Sequence, residues 1–268
     1  MTTHPTSAGA ATRRKGFLVL GLLVLLFAFV RLRGRVPAVR AVHRWLASVG
    51  VPEDLRALDA TLLLVGGAFL AAWFLARRQV AAALGLRRPI GPSARIAAIG
   101  ALPMLVAAWA VGEGWSPSWA LVPGALVAPF VEELFFRGAL VALPVRAAGL
   151  PFWPVAIVSA ALFGASHAPW SDALSWGHVP VILVTGAGGL WFAWLLRTAP
   201  WNLWLPIFVH AGMNLAWMLF RASPDAVGGW QANVGRAGTI ALVTWLVLRE
   251  RSAARSGTAS GTRRPSSP

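Results

Sequence analysis

The chain has 268 residues, of which 57% are hydrophobic and only 12% charged, against roughly 25% charged in an ordinary soluble domain, and that imbalance points to a bilayer. The formal charge of +15 does not signal nucleic-acid binding, because most arginines flank apolar runs where lipid headgroups lie. Cysteine is absent, which excludes disulfides, thiol catalysis, Cys-ligated metals and a prenylated C-terminal cysteine on this chain.

Residues 1–12 are small and polar, and a disordered tail is expected there. Arg13, Arg14 and Lys15 then precede an apolar run over 16–30, with Arg31, Arg33 and Arg35 behind it instead of a small-residue cleavage site. That pattern predicts a retained membrane helix rather than a removed signal peptide. Over 37–49, Pro37 opens a segment in which Val39, Val42, Trp45, Leu46 and Val49 recur at helical spacing opposite Arg40, His43 and Arg44. It reads as an amphipathic helix lying on the membrane interface.

Further apolar spans follow at 57–76, 94–112, 118–145, 152–168, 178–196, 201–220 and 237–248. The Ser-, Gly-, Arg- and Pro-rich stretch 252–268 has no apolar surface to bury and is expected to be a disordered basic tail. The fold expected is therefore all-α: a polytopic transmembrane helix bundle of about eight spans with one interfacial helix. Its N-terminal membrane helices occupy 13–117, a core region 118–220 and a last span 221–251. No internal repeat is visible, which speaks against an inverted-repeat transporter. With both termini cytoplasmic, the inside segments carry the excess of Lys and Arg. Trp115, Trp119, Trp153, Trp170, Trp176 and Trp201 fall near span ends, as in an aromatic belt.

The span over 118–145 holds three charges, Glu132, Glu133 and Arg137, each costing roughly 2.5–3.5 kcal/mol at the centre of a membrane helix. Such a cost needs a reason. Glu133 and Arg137 are four apart and can pair on one face, whereas Glu132 lies about 100° round the helix and needs a partner from another segment. Bends are expected at Pro123 and Pro129. Two later spans supply imidazoles, at His167 and His210, and Asn214 shares a helix face with His210. Gly164, Ala211 and Gly212 beside them favour close helix approach.

In order, Glu132-Glu133-x-x-x-Arg137, Phe163-x-x-x-His167 and His210-x-x-x-Asn214 resemble the three motifs of the CPBP family, which includes the type II CAAX prenyl endopeptidases and the Abi-type bacterial membrane proteins. The resemblance covers about 118–220. It implies an intramembrane glutamic endopeptidase in which Glu132 and His167 hold and deprotonate a water, His210 and Asn214 donate hydrogen bonds to the oxyanion, and Glu133 with Arg137 orients the motif helix. It favours a metal-independent mechanism, so no cofactor is expected, although Glu132, His167 and His210 together have the composition of a catalytic zinc set. His4, His43 and His178 are left outside the site.

The partners expected are a peptide or protein substrate near the bilayer and the bilayer itself, with no nucleic acid. The substrate is left open among CAAX-like tails, leader peptides and membrane anchors of sorted proteins, and the location expected is a bacterial inner membrane. The two-termini-inside orientation places the site toward the outer side. Two other classes compete: a non-catalytic immunity or scaffold protein held together by the polar cluster, and a proton or solute pathway.

Overall fold

The computed structural model describes residues 7–52, 56, 58–168, 175–223 and 227–260. Among them there are helices and turns and no strand. In chain order the helices are α1 (Ser7–Leu32), α2 (Pro37–Ser48), α3 (Leu58–Ala76), the single turn α4 (Val80–Ala83), α5 (Ile90–Gly100), α6 (Leu102–Val111), a long run α7 over 122–148, α8 (Phe152–Ser166), α9 (Val179–Thr198), α10 (Trp204–Leu219) and α11 (Trp230–Ser260). Four described stretches are long and apolar enough to cross a membrane: Gly9–Arg35, Leu58–Ala83, Ile90–Val111 and Trp176–Thr198. Phe152–Ser166 and Trp204–Leu219 are shorter apolar helices. Each of the eight apolar segments of the sequence overlaps a helix among the described residues, and the protein is an all-α membrane protein.

Helix extends past the expected boundaries at both ends. The segments 1–12 and 252–268 were expected to be disordered tails, yet α1 starts at Ser7 and α11 runs through Ser260. Once a helix is nucleated by its apolar stretch, each added residue gains a hydrogen bond, and the flanking alanines and arginines are good helix formers. Residues 1–6 and 261–268, with His4, and Trp170 of the expected belt lie outside the described residues. Trp115, Trp119, Trp153 and Trp176 are exposed.

The helices group into two compact units, Met1–Arg87 with Phe130–Ala193, and Arg88–Pro129 with Trp194–Pro268. In the first, α1 lies against α3 and the end of α7 at two glycines, where a Cβ on Gly16 would meet Ala148 and one on Gly67 would meet Leu26. Phe27 of α1 sits edge-on to Phe136 of α7, with ring centroids 5.6 Å apart. α8 and α9 approach closely, because Gly164 faces the Ile182 carbonyl and the backbone of Gly186. A Cβ on Gly164 would stand 2.5 Å from that carbonyl oxygen. Gly164→Ala is therefore expected to lower stability by about 1–3 kcal/mol through overpacking, read as a drop in thermal unfolding temperature, whereas Gly188→Ala, which faces open space, should cost little.

In the second unit, α5 and α6 form one apolar hairpin-free stretch interrupted at Ala101, and α10 and α11 pack on it. Met104, Ala108, Ala216, Leu219 and Phe220 make its buried apolar cluster. α10 starts from a tight turn in which Trp201 takes a positive φ of 59°. Asn202 fixes that turn, since its Nδ2 donates to the Pro89 carbonyl and to Ser93 Oγ, both at 2.9 Å, and its Oδ1 accepts from the Trp204 amide.

Candidate active site

α7 is wound unevenly. It begins with a π-helical segment Val122–Val127, tightens to α-helix over Ala128–Glu132, widens again over Glu133–Ala142 and ends as α-helix Leu143–Ala148. Bends are expected at Pro123 and Pro129; Pro123 lies in the first widened segment and Pro129 in the α-helical turns after it, and π-type turns of this kind gather at functional sites. Every residue of the second π segment is buried.

Within the first unit, Glu133 and Arg137 form the predicted pair, with Arg137 Nη1 3.1 Å from Glu133 Oε1 and both side chains essentially fully buried. The contact is a charge pair without hydrogen-bond alignment at the guanidinium nitrogens. Aromatic rings surround the cation: its guanidinium carbon lies 4.1 Å from the Phe163 centroid, 5.3 Å from Phe192 and 5.8 Å from Phe136. Each such contact adds attraction that grows when water is excluded. A side chain larger than hydrogen at Gly189 would press on Arg137 Nη2 and Phe163. Ser159 on α8 donates its hydroxyl to the Phe136 carbonyl at 2.7 Å, tying α8 to the widened part of α7.

Glu132, half-buried, ends the α-helical turn just before this pair. His167 follows the last residue of α8 and is half-buried. Its Nδ1 lies 2.8 Å from the Phe163 carbonyl oxygen, and Ser166 Oγ donates to the same oxygen at 2.6 Å. A carbonyl oxygen only accepts, so Nδ1 carries the proton and Nε2 is the basic nitrogen. The Phe163 ring packs edge-on against the imidazole at 4.8 Å, so the same phenylalanine orients Arg137 and His167.

In the second unit, α10 presents His210, which is buried, and Asn214 one turn later. Asn214 Nδ2 donates to the Gly124 carbonyl at 3.1 Å, in the first π segment of α7. Its carboxamide is thereby fixed in direction. Among the described residues, no three His, Asp or Glu side chains are grouped to share a metal ion.

Sequence reasoning did not single out Ser159, Gly189 and Phe192. A lone serine, glycine or phenylalanine in an apolar span has no local signal, and only packing shows what it touches.

Residues 114–216 match the family model of type II CAAX prenyl endopeptidase Rce1-like proteins. The matched stretch is less than half of the chain. The CAAX-protease-like match takes in α7 through most of α10 and contains Glu132, Glu133, Arg137, His167, His210 and Asn214. That stretch is similar to a family of membrane proteases, and helices lie before and after it. Neither a curated relative nor a solved structure matches the chain.

Proposed function

We propose that the protein is an intramembrane glutamic endopeptidase that hydrolyses a peptide bond of a membrane-associated peptide or protein. The observation carrying this reading is that one CAAX-protease-like stretch contains all three motifs, in order, on buried or half-buried positions in helices or, for His167, directly after one. Glu132 and His167 hold the attacking water, with Glu132 taking its proton and His167 Nε2 accepting its second hydrogen bond. As the oxygen adds to the carbonyl carbon, negative charge moves to the carbonyl oxygen, where His210 and the second N–H of Asn214 donate. Collapse of the tetrahedral intermediate breaks the C–N bond, and Glu132 returns the proton to the leaving nitrogen.

The Glu133–Arg137 pair keeps α7 in register. Its aromatic surround also holds Phe163, whose carbonyl sets the imidazole tautomer. A bacterial cytoplasmic membrane is the proposed location, in keeping with the Ala- and Arg-rich composition.

The reading requires the acid–base pair and the oxyanion donors to serve one reaction, and that requirement is testable by coupling. With the purified chain and an identified membrane-peptide substrate, Asn214→Ala is expected to lower kcat by about 10²–10³-fold, the loss typical of an oxyanion donor. Added to Glu132→Gln it should lower the rate little further, because residues acting as a unit are non-additive. Fully multiplicative losses would separate Asn214 from the chemistry. The same assay after chelation distinguishes the mechanisms: full activity in EDTA supports the glutamate reading, and metal-restorable loss supports zinc on Glu132, His167 and His210.

A further inference from the structure

α9 carries none of the three motifs, yet one of its residues touches the groups that hold His167 in place. Gly189, buried in the middle of α9, lies against α7 and α8 within the first unit. A methyl carbon at that position would stand 3.1 Å from Phe163 Cδ1, 3.2 Å from Arg137 Nη2 and 3.4 Å from Ala160 Cα. The first two distances fall short of an ordinary contact, so a methyl group there obliges a neighbour to give by a few tenths of an ångström.

The packing around Phe163 decides which neighbour gives. Its ring meets the Arg137 guanidinium at 4.1 Å, the Phe136 ring edge-on at 5.0 Å and the His167 imidazole edge-on at 4.8 Å. Arg137 is buried, held 3.1 Å from Glu133 and flanked by Phe136 and Phe192, so it has nowhere to go. Phe136 is buried and edge-on to both Phe27 and Phe135. His167 alone among the three is half-buried, just past the end of α8. Close-packed interiors pass displacement along to the least enclosed group, so bulk at 189 drives the Phe163 ring toward the imidazole. The Nδ1 bond is made to the Phe163 backbone carbonyl and does not depend on the ring, so the tautomer is kept while Nε2 moves.

We propose that Gly189 is a positioning residue for His167: the absence of a side chain on α9 sets the place of the Phe163 ring, and that ring sets where Nε2 lies. The packing relay stands by itself, and its catalytic consequence rests on the peptidase reading. A reacting group misplaced by about 1 Å can cost about a hundredfold in rate. Gly189→Ala is therefore expected to lower kcat about ten- to hundredfold and to leave KM within about twofold, because the change acts on the placement of the base and not on substrate binding.

The test uses the full chain in detergent with nitrogen-15-labelled histidine, reading the imidazole resonances alongside cleavage of an identified membrane-peptide substrate. The His167 resonances are recognised by their loss in His167→Ala. In Gly189→Ala they should be displaced while those of His43 and His178 stay in place, and kcat should fall as stated. Gly188→Ala, which faces open space, should change neither. Phe163→Leu keeps the backbone carbonyl and makes room for a methyl group, so adding Gly189→Ala to it should leave the resonances in place and the rate within about twofold. That pair decides the matter even where Gly189→Ala alone fails to fold. His167 resonances unmoved in folded Gly189→Ala, or a rate loss from Gly189→Ala as large with Leu at 163 as with Phe, would overturn the proposal. Displaced resonances together with a His167→Ala variant that cleaves at the wild-type rate would uphold the positioning and remove His167 from the peptidase mechanism.

Discussion

Replacing Glu132 by Gln is expected to lower the cleavage rate by about 10²–10⁴-fold, the range supplied by a positioned general base, while leaving the chain folded. Gln keeps the size and hydrogen-bonding reach of Glu but cannot take a proton from water. The side chain is only half-buried, at the end of the α-helical turn of α7, so the neutral replacement also removes a desolvation cost and should not destabilise the helix. The measurement pairs single-turnover cleavage with thermal unfolding in the same detergent. A folded variant that cleaves at the wild-type rate removes Glu132 from the mechanism. Lost abundance with unfolding at lower temperature would favour the scaffold reading, in which the polar cluster only holds helices together. Charge movement in liposomes abolished by the same change, with no peptidase activity, would favour a proton pathway.

Arg137→Ala is expected to be the most destabilising single substitution in the first unit, by about 3–5 kcal/mol, because it leaves the buried Glu133 carboxylate without its cation. It also empties the space between three rings, so cavity formation adds to the lost charge pair. Arg137→Lys should fall in between, since an ammonium keeps the charge but not the flat guanidinium that stacks on Phe163. Replacing both partners together, Glu133→Leu with Arg137→Met, should recover most of the stability, as buried ion pairs exchanged for apolar groups of similar volume often do. Thermal unfolding of the three variants beside the wild type checks the order. A full loss in the double variant would mean that α7 needs the charges themselves, and equal stability of Arg137→Ala and wild type would show that the pair does not hold the helix.

Much of the candidate site was legible in the chain because charge in an apolar span is expensive. Glu132, Glu133 and Arg137 stand out in an apolar span since a charge in hydrocarbon demands a reason, and the i,i+4 spacing alone predicted the Glu133–Arg137 pair. His210 and Asn214 declared a common face by the same spacing. The apolar segments were legible because a helix must satisfy its own backbone in lipid. Helix ends were less so: α1 and α11 run farther than hydropathy suggests, because helix propagation depends on alanine and arginine propensity as well as on burial. The π-helical widening of α7 was not legible either, since Pro123 and Pro129 announce a disturbance without giving the winding of the turns around them.

By itself, then, the order of residues determined the membrane class, the helical segments, the three motifs and the face shared by each local pair, all properties set by short-range spacing and by the cost of charge in lipid. Tertiary structure alone decided which groups surround them. It placed the rings of Phe136, Phe163 and Phe192 on one guanidinium, Ser159 on the Phe136 carbonyl, and the Phe163 carbonyl on His167 Nδ1, which settles the imidazole tautomer. It also joined Arg33, His43 and Asp59, residues with no motif between them, into the anchor of α2. These contacts link positions far apart in the chain, where no periodicity reaches and only packing specifies a partner.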